Sequence, residues 1–450
     1  MSATAFIPAP LTFRRAMLYW LKLGFISFGG PAGQISLMHA ELVERRRWIS
    51  EARFMHALNY TMVLPGPEAQ QLATYIGWLM HGTVGGIVAG ALFVLPSLAI
   101  LCVLSAVYLS YGDVPAIAGV LYGIKPAVTA IVAFAAYRIG SRALRNGALW
   151  IVAAAAFLAI TVVDLPFPLI VLVAACIGFV GGRLAPQKFR IGDHAVHYTS
   201  RPGSALIDDR TPAPPHARFS RRSAFTYGLI GLALWAAVEG ILGATFGVQG
   251  TLTQMAWFFT KAALVTFGGA YAVLPYVYQG AVETHDWLTA EQMIDGLALG
   301  ETTPGPLIMV VAFVGFVGAW AEQIFGSDSL LAAGVAGAAV ATFFTFLPSF
   351  LFILIGGPAV EASREDIKLT APLTGITAAV VGVILSLAVF FGWHVFWPEA
   401  TVEAPLAGRF EWFSVLLASA ALLALWCFRA GVVTVIVACG VAGLLYSLYS

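Results

Sequence analysis

Long runs of apolar residues, separated by short polar turns, dominate the chain. These runs carry few formal charges and approach or exceed the roughly 20 residues that a helix needs to cross a bilayer. The pattern predicts an all-α, polytopic membrane protein. The predicted spanning helices lie at about residues 84–110, 114–138, 147–163, 165–183, 223–247, 330–357, 369–393, 411–429 and 431–448.

Four further apolar elements contain helix-breaking residues in their middle. Proline removes a backbone donor and glycine loses more conformational entropy than other residues, so both interrupt helices. We therefore expect four broken, re-entrant hairpins that enter and leave the membrane on one side. They are residues 12–44 with Gly29-Gly30-Pro31, 52–82 with Pro65-Gly66-Pro67, 252–283 with Gly268-Gly269, and 291–322 with Pro304-Gly305-Pro306.

An internal repeat relates the two halves of the chain. Features of the first half recur 239 residues later without a gap for more than forty residues, so chance is a poor explanation. The matched pairs are Lys22 with Lys261, Ser27 with Thr266, Gly29 with Gly268, Trp48 with Trp287, and Pro65 with Pro304. Each half is therefore expected to contain two broken hairpins and about four spanning helices.

Charge predicts that the two halves have opposite orientations. The basic turn Arg45-Arg46-Arg47 aligns with Thr284-His285-Asp286, and cytoplasmic loops carry an excess of Lys and Arg. We expect a cytoplasmic N-terminus and a periplasmic C-terminus. The predicted domains are an N-terminal repeat at 1–183, a cytoplasmic, hydrophilic and mobile linker at 184–222, a connecting transmembrane helix at 223–250, and an inverted repeat at 251–450.

Composition excludes a soluble protein. Hydrophobic residues make up 60% and charged residues 10% of the chain, against roughly 25% charged residues in soluble domains. The net charge of +1 gives no reason to expect nucleic acid as a partner, so the partner is the lipid bilayer. The four cysteines lie in apolar runs without metal-ligand spacing, and we predict neither a metal nor another cofactor.

Inverted repeats with helices broken near mid-membrane are typical of transporters whose site lies at the repeat interface. Half-helices that begin at the breaks present unpaired N–H groups, which favour an anion. Intramembrane lysines are functional candidates by default, although a lysine can also extend to the membrane surface. The predicted substrate-binding residues are Lys22, Ser27, Gly29, Gly30, Pro31, Pro65, Gly66, Pro67, Gln70, Gln71, Lys261, Thr266, Gly268, Gly269, Thr303, Pro304, Gly305 and Pro306.

Several roles stay open at this point. The hydroxyls of Ser27 and Thr266 can donate to an oxyanion or bond back within their own helix. Glu68 can couple protons or stabilise the N-terminus of its half-helix, and Glu301 is the acidic candidate of the second half. Asn59 precedes the first Pro-Gly-Pro and is a further candidate for the pathway.

Enzyme signatures are missing from the sequence. It contains no HExxH, Walker loop or GxSxG, and no GxGxxG that opens a helix after a strand, each of which would indicate a specific chemistry. We therefore predict a protein that is not an enzyme. Without a nucleotide-binding segment, transport is expected to use the membrane potential or an ion gradient.

The sequence resembles the chromate ion transporter family in its long, two-domain form, over nearly the whole chain. The motifs that carry this resemblance are Phe28-Gly29-Gly30-Pro31-Ala32-Gly33-Gln34-Ile35, Pro65-Gly66-Pro67-Glu68-Ala69-Gln70-Gln71-Leu72, Gly77-Trp78-Leu79-Met80-His81-Gly82, Phe267-Gly268-Gly269-Ala270 and Thr303-Pro304-Gly305-Pro306. The resemblance implies a bacterial inner-membrane carrier that exports chromate and confers chromate resistance. Ala270 stands where the first half has Pro31, so the two halves are not strictly equivalent.

Three alternatives remain beside a chromate exporter. A sulfate or general oxyanion permease fits the same site, since sulfate is also a tetrahedral dianion. A passive anion channel of inverted half-helices would carry flux that does not saturate. A membrane-embedded enzyme would need paired catalytic residues in one cavity. The sequence does not decide whether the chain forms a homodimer.

Overall fold

A computed structural model describes residues 11–28, 30–112, 114–189, 205–208, 211, 214–267, 269–362, 370–399 and 407–449. Two predicted site residues, Gly29 and Gly268, lie outside the described residues, as does about half of the predicted linker. The structure is 83% helical, and the described residues form no β-strand. The prediction of an all-α polytopic membrane protein is therefore confirmed.

The described residues form seventeen α-helices. They are α1 Phe13–Ile26, α2 Gly30–His39, α3 Glu51–Thr61, α4 Glu68–Tyr111, α5 Pro115–Ala143, α6 Gly147–Thr161, α7 Phe167–Leu184, α8 Pro186–Phe189, α9 Arg221–Phe246, α10 Thr251–Val265, α11 Ala270–Tyr278, α12 Ala290–Thr302, α13 Val310–Ala321, α14 Leu330–Ala362, α15 Thr370–Phe396, α16 Trp412–Trp426 and α17 Val432–Tyr449. Two π-helical segments, Ala40–Arg45 and Gln279–Thr284, follow α2 and α11.

Seven of these helices are long and apolar enough to cross a membrane, namely α4, α5, α7, α9, α14, α15 and α17. Three shorter apolar segments contain α6, α13 and α16. Each of the nine spans predicted from the sequence coincides with a helix. In α4 the backbone is not helical at His81 and Gly82, so a kink separates the end of the second predicted hairpin, 52–82, from the span that follows it.

The helices pack as two groups. In the first, α1 lies against α4, α10 lies against α14, and α4 and α14 pack against each other between the halves. In the second, α5 contacts α15, α16 and α17, while α15 also contacts α6 and α7. Small residues permit the close approach of α5 and α17, because a Cβ on Gly123 would lie 2.8 Å from the backbone of Gly443, as is common between membrane helices. Helices from both halves therefore contribute to each group.

Part of the predicted mobile linker is docked on the first half. Ile207 is buried and forms an isolated parallel bridge with Ile49. The N–H of Ser50 donates to the carbonyl of Ile207 at 3.0 Å, and the His216 ring contacts the carbonyl of Trp78 at 2.9 Å. The linker is polar overall, but its buried Ile207 gives the described part an apolar anchor that its composition did not reveal.

Candidate functional site

The local backbone of the two halves repeats at the offset seen in the sequence. Helix α1 ends immediately before Ser27, and α10 ends immediately before Thr266. The π-helical segments follow 239 residues apart. Each is followed by a residue with positive φ, Arg47 at 51° and Asp286 at 54°. The repeat is therefore one of conformation as well as of residue type.

The breaks of the two halves meet in a reciprocal contact. The N–H of Gly66, in the first Pro-Gly-Pro, donates to the carbonyl of Thr266 at 2.7 Å. The N–H of Gly305, in the second Pro-Gly-Pro, donates to the carbonyl of Ser27 at 2.8 Å. The first half thus provides a hydrogen-bond donor for the carbonyl that ends α10, and the second half provides one for the carbonyl that ends α1; neither carbonyl has a partner within its own helix. We call this arrangement of Ser27, Gly66, Thr266 and Gly305 the crossing.

Two of the four residues of the crossing, Gly66 and Gly305, stand where only glycine fits. Gly66 has a φ of 118° and Gly305 a φ of 107°, values that side chains on L-residues rarely allow. A Cβ on Gly66 would lie 2.5 Å from Ser349 Oγ, and one on Gly305 would lie 2.7 Å from Ser97 Cβ. Ser97 is on α4 and Ser349 is on α14, so the long helix of each half closes over the break of the other half.

Gln34 joins the crossing, although the sequence analysis did not select it as a site residue. Its side chain is fully buried, and its Nε2 donates to the carbonyl of Gly305 at 2.5 Å and to that of Ser27 at 3.3 Å. Its Oε1 has no hydrogen-bond partner among the described residues. Val273 stands at the corresponding position of the second half. Comparison of the repeats therefore could not find it, and the available signals were an amide within an apolar hairpin and its place in the motif Phe28–Ile35.

The predicted residues Gln70 and Gln71 are fully buried next to the first break. Gln71 Nε2 donates to the carbonyl of Pro65 at 2.7 Å and lies 3.3 Å from Ser349 Oγ. Gln70 Nε2 donates to Thr74 Oγ1 at 3.0 Å. The Oε1 atoms of both glutamines lack a partner among the described residues. The side-chain amides therefore stabilise the conformation of the break through their Nε2 atoms. Their Oε1 atoms remain beside it as hydrogen-bond acceptors without a partner.

The helices that follow the breaks begin without a side-chain cap. Pro67 precedes α4, Pro306 precedes the short 3₁₀ turn that leads into α13, and Gly269 precedes α11. By contrast, α3 and α12, which lead into the breaks, are capped by the side chains of Ser50 and Thr289. The first-turn N–H groups of an uncapped helix have no intrahelical partner and carry a positive partial charge. Such ends can hold an anion.

Open space borders two of the predicted site glycines. Gly30 is the first residue of α2 and Gly269 precedes α11 at the matched position. A Cβ on either glycine would meet no heavy atom within 4 Å. Pro31, next to Gly30, is partly buried. The helix starts in the two halves therefore leave room for a small ligand to approach the backbone.

The predicted hydroxyl donors are engaged within their own helices. Ser27 Oγ and Thr266 Oγ1 each donate to the carbonyl four residues earlier, both at 2.6 Å. Thr303 Oγ1 donates to the carbonyl three residues earlier at 2.9 Å. Of the two roles left open by the sequence, back-bonding is the one seen here. Ser27 and Thr266 take part in the crossing through their backbone carbonyls.

The two lysines do not join the crossing. Lys22 is exposed on a face of α1 that also exposes Leu18 and Phe25, which have about half of their surface accessible. Lys261 is exposed on α10, with its Nζ 5.8 Å from the ring centre of Trp257. Helical side chains lean toward the N-terminus of their helix, which is away from the breaks that end α1 and α10. Their role as anion ligands stays a prediction.

The acidic candidates occupy different environments. Glu68 is the first residue of α4, is partly exposed, and makes no hydrogen bond or ion pair with the described residues. Glu301, near the end of α12, accepts a hydrogen bond from the hydroxyl of Tyr271. Asn59 is exposed on α3. The position of Glu68 fits a charge at a helix N-terminus, and its role in proton coupling stays a prediction.

The basic turn at the end of the first hairpin is fixed by local contacts. Glu41 accepts from Arg45 Nη1 at 2.7 Å and from Arg46 Nε at 3.0 Å. These hydrogen bonds to the two guanidinium groups hold the pKa of the Glu41 carboxyl below its usual value. Arg46 also lies 5.0 Å from the ring centres of Tyr19 and Trp48. The turn therefore has a defined conformation around Glu41 and carries a net positive charge.

Comparison with known proteins gives a consistent result. Residues 15–179 and 253–444 match the sequence model of a family described as "Chromate transporter", and the two matched segments correspond to the two halves. No solved structure matches the chain.

Three curated relatives cover most of the chain. A "Chromate transport protein" of Pseudomonas aeruginosa is 34% identical over 98% of this chain and 94% of its own length. A "Probable chromate transport protein" of Synechococcus elongatus is 31% identical over 83% of each chain. A "Chromate transport protein" of Cupriavidus metallidurans is 30% identical over 83% of this chain and 81% of its own.

Proposed function

The chain belongs to the chromate transporter family, and we propose that it is a secondary transporter that exports chromate across the bacterial inner membrane and so confers chromate resistance. The membrane potential, an ion gradient or both drive the transport. The names of the relatives in Pseudomonas aeruginosa and Cupriavidus metallidurans support chromate as the substrate. No enzymatic reaction is part of this proposal, since those relatives are named as transport proteins.

The crossing is the observation that carries the proposal. It buries irregular backbone between long apolar helices, and such backbone is tolerated at membrane depth where it is enclosed by protein or lines a cavity. The hydrogen bonds from Gly66 to Thr266 and from Gly305 to Ser27 join each Pro-Gly-Pro break to the end of α10 or α1 of the other half, which supports a site between the halves. Uncapped helix starts beside this interface supply N–H groups for a tetrahedral oxyanion. We propose that the substrate binds there.

The membrane potential suits the export of a dianion. Moving one elementary charge through 100 mV changes the free energy by about 2.3 kcal/mol, so a dianion gains about 4.6 kcal/mol per 100 mV when it leaves a negative interior. This is enough for a concentration ratio above a thousand. Export therefore needs no nucleotide hydrolysis, which agrees with a sequence that lacks a Walker loop.

We also propose that the halves have inverted topology, with the N-terminus in the cytoplasm and the C-terminus in the periplasm. The domain limits proposed are 1–183, 184–222, 223–250 and 251–450. The charge difference between the matched turns supports this orientation, and the reciprocal form of the crossing is what a two-fold relation between the halves would produce. Helix α9 is then the extra span that inverts the second half.

Cysteine labelling tests the orientation. Arg45 has 74% of its side chain exposed, and Thr284 is exposed at the matched position. In a background in which the exposed Cys176 and Cys427 are replaced by serine, Arg45→Cys should react with an impermeant maleimide only from the cytoplasm. Thr284→Cys should react only from the periplasm. Labelling of both from one side would contradict the inverted orientation.

The function is tested by chromate uptake into everted membrane vesicles under an imposed, interior-positive potential. Saturable uptake that grows with the potential and resists excess sulfate supports a chromate exporter. Uptake abolished by modest sulfate indicates the alternative, a general oxyanion permease, which a site of backbone N–H groups also fits. Flux that does not saturate and shows no counterflow indicates an anion channel. Vesicles without the protein provide the control.

A further inference from the structure

A second polar site lies apart from the crossing. A cavity of about 700 Å³ opens where the end of α4, the start of α5, the start of α12 and the end of α17 meet. None of the crossing residues lines it. Its polar lining residues are Tyr108, Tyr122, Lys125, Glu291, Gln292, Asp295 and Ser447.

The charges in this cavity do not balance. The Lys125 ammonium bonds to the carboxylate of Glu291 and lies 3.9 Å from Oδ2 of Asp295. Glu291 and Asp295 are four residues apart on α12, so they occupy the same face on successive turns. One cation therefore stands between two carboxylates. With both carboxylates ionised, the cluster carries one uncompensated negative charge.

Asp295 is the member of the cluster where that charge is most unfavourable. The residue is 2% exposed, whereas the side chain of Glu291 is 70% exposed. Asp295 Oδ2 accepts a hydrogen bond from the Tyr108 hydroxyl at 2.9 Å, but Oδ1 has no partner among the described residues. A buried carboxylate that shares its only cation with a second carboxylate and has an unsatisfied oxygen is disfavoured, and taking up a proton is the usual remedy.

Apart from Lys125, none of the residues that line the cavity is a cation. On α13 the neighbour of Tyr108 is the apolar ring of Phe313. Tyr122 of α5 donates to Glu411 at 2.5 Å, and Ser447 of α17 donates to a carbonyl of its own helix. Among the described residues no group of three or more acidic, histidine or cysteine side chains could hold a metal ion. A proton is the ligand that the geometry fits.

A second ion pair, between Arg53 and Glu361, is buried but differs from the Asp295 site in its charge balance and its hydrogen bonds. Arg53 Nη1 bonds to Glu361 Oε2 at 2.5 Å, and the Tyr75 hydroxyl donates to Glu361 Oε1 at 2.6 Å. Both oxygens of that carboxylate are satisfied, and one cation matches one anion. The unpartnered oxygen and the extra negative charge therefore distinguish the Asp295 site from the Arg53–Glu361 pair.

We propose that Asp295 is a proton-binding site that couples proton movement to anion transport at the crossing. A proton from the cavity binds Oδ1, which leaves Lys125 and Glu291 as a neutral pair, and it leaves from the same atom when the carrier changes conformation. Asp295 lies on α12, which leads to Gly305, and its partner Tyr108 lies on α4, which holds Ser97 over Gly305. The two helices thus connect the proton site to the crossing. The coupling part of this inference rests on the proposed function.

The test compares Asp295→Asn with Asp328→Asn in the full-length protein reconstituted in liposomes. Asp328 lies in an exposed 3₁₀ turn and is the matched control for loss of one carboxylate. The potential is clamped at zero and both compartments are kept alkaline, so that chromate stays a dianion. If one proton exchanges for each chromate, a gradient of one pH unit should support an accumulation ratio of about tenfold. We expect this ratio in the wild type and Asp328→Asn, and a ratio near one in Asp295→Asn.

Two further measurements keep the outcomes distinct. Exchange of labelled for unlabelled chromate at equal pH needs no net proton movement, so Asp295→Asn should retain it. Infrared difference spectra across a pH step should show a protonated carboxylic acid band that is lost in Asp295→Asn, whether or not chromate moves. Absence of that band in the wild type, full accumulation by Asp295→Asn, or accumulation driven by a sodium gradient would each overturn the proposal. A wild type that shows the band but moves no chromate would reject the proposed function and leave the proton site standing.

Discussion

Replacing the crossing glycines should damage the protein more than replacing other glycines of similar backbone conformation. The perturbation is Gly66→Ala or Gly305→Ala, which adds one methyl group at the point where the two halves exchange hydrogen bonds. Gly326 is the control, because its φ of 85° is also positive but a Cβ there would meet no heavy atom within 4 Å. Gly326→Ala therefore measures backbone strain without crowding.

The expected magnitude has two parts. An alanine held at a positive φ costs about 1–3 kcal/mol in backbone strain. At Gly66 the new Cβ would also lie 2.5 Å from Ser349 Oγ and 2.8 Å from Gln71 Nε2, and overpacking of this kind costs about 1–3 kcal/mol. Gly66→Ala and Gly305→Ala should each lose about 2–6 kcal/mol in unfolding free energy, and Gly326→Ala about 1–3 kcal/mol.

Thermal unfolding of the purified protein in detergent measures the stability, and everted vesicles measure chromate uptake. Uptake should fall in both crossing variants, because relief of the clash separates Gly66 from Thr266 or Gly305 from Ser27. The double variant Gly66→Ala with Ser349→Ala removes the nearest crowding atom. It should regain much of the stability lost to overpacking but none of the stability lost to backbone strain.

Close backbone contact at the crossing is refuted if Gly66→Ala and Gly305→Ala are no less stable than Gly326→Ala and transport chromate normally. Such a result would mean that the crossing tolerates a methyl group and that the breaks are not held by close backbone contact. A third pattern, lower stability with uptake unchanged per folded molecule, would leave the crossing as a structural joint and remove it from the transport pathway.

Four other substitutions test three separate features. Glu361→Gln leaves Arg53 as a buried cation without its counterion and should lower the unfolding free energy by about 3–5 kcal/mol, measured by thermal or denaturant unfolding; an unchanged midpoint would contradict a buried ion pair. Lys22→Ala and Lys261→Ala remove exposed cations, so the unfolding free energy should change by less than about 0.5 kcal/mol while uptake at low chromate concentration falls. Added salt should reduce this loss of uptake if the lysines attract the anion. Normal uptake by both variants at low ionic strength would remove the lysines from the pathway. Ile207→Asp places a charge at a buried contact of the linker and should accelerate tryptic cleavage within residues 184–222; cleavage at the wild-type rate would show that this contact does not hold the linker.

The membrane-spanning helices and the breaks could be predicted from the sequence because both depend on local composition. A run of apolar residues near the thickness of a bilayer is itself the signal for a span, and Pro65-Gly66-Pro67 cannot continue a helix wherever it folds. The repeat added a long-range relation, since a common offset joins Gly66 to Gly305. It did not reveal that Gly66 would contact the end of α10 or that Gly305 would contact the end of α1.

The missed residues depend on partners that are far apart in the chain. Gln34 reaches Gly305 across 271 positions, and Arg53 reaches Glu361 across 308. Neither pair has a recognisable spacing, and no periodic pattern records them. Lys22 illustrates a different difficulty. The sequence identifies a cation in an apolar run but does not say which face of α1 carries it.

The backbone of the crossing is symmetric, but the side chains around it are not. Gln34 is matched by Val273, Glu68 by Leu307, and Glu301 by Met62. In the proposed exporter, two symmetric halves would give inward-facing and outward-facing states of equal energy, and these differences would make the two states unequal. Such a difference changes how long each state lasts, yet it cannot set the direction of net transport, because a carrier only relaxes the gradients that it couples. In the proposed exporter the direction is therefore set by the potential acting on the dianion, together with any coupled proton, while the unmatched side chains set the rate at which the two states interconvert.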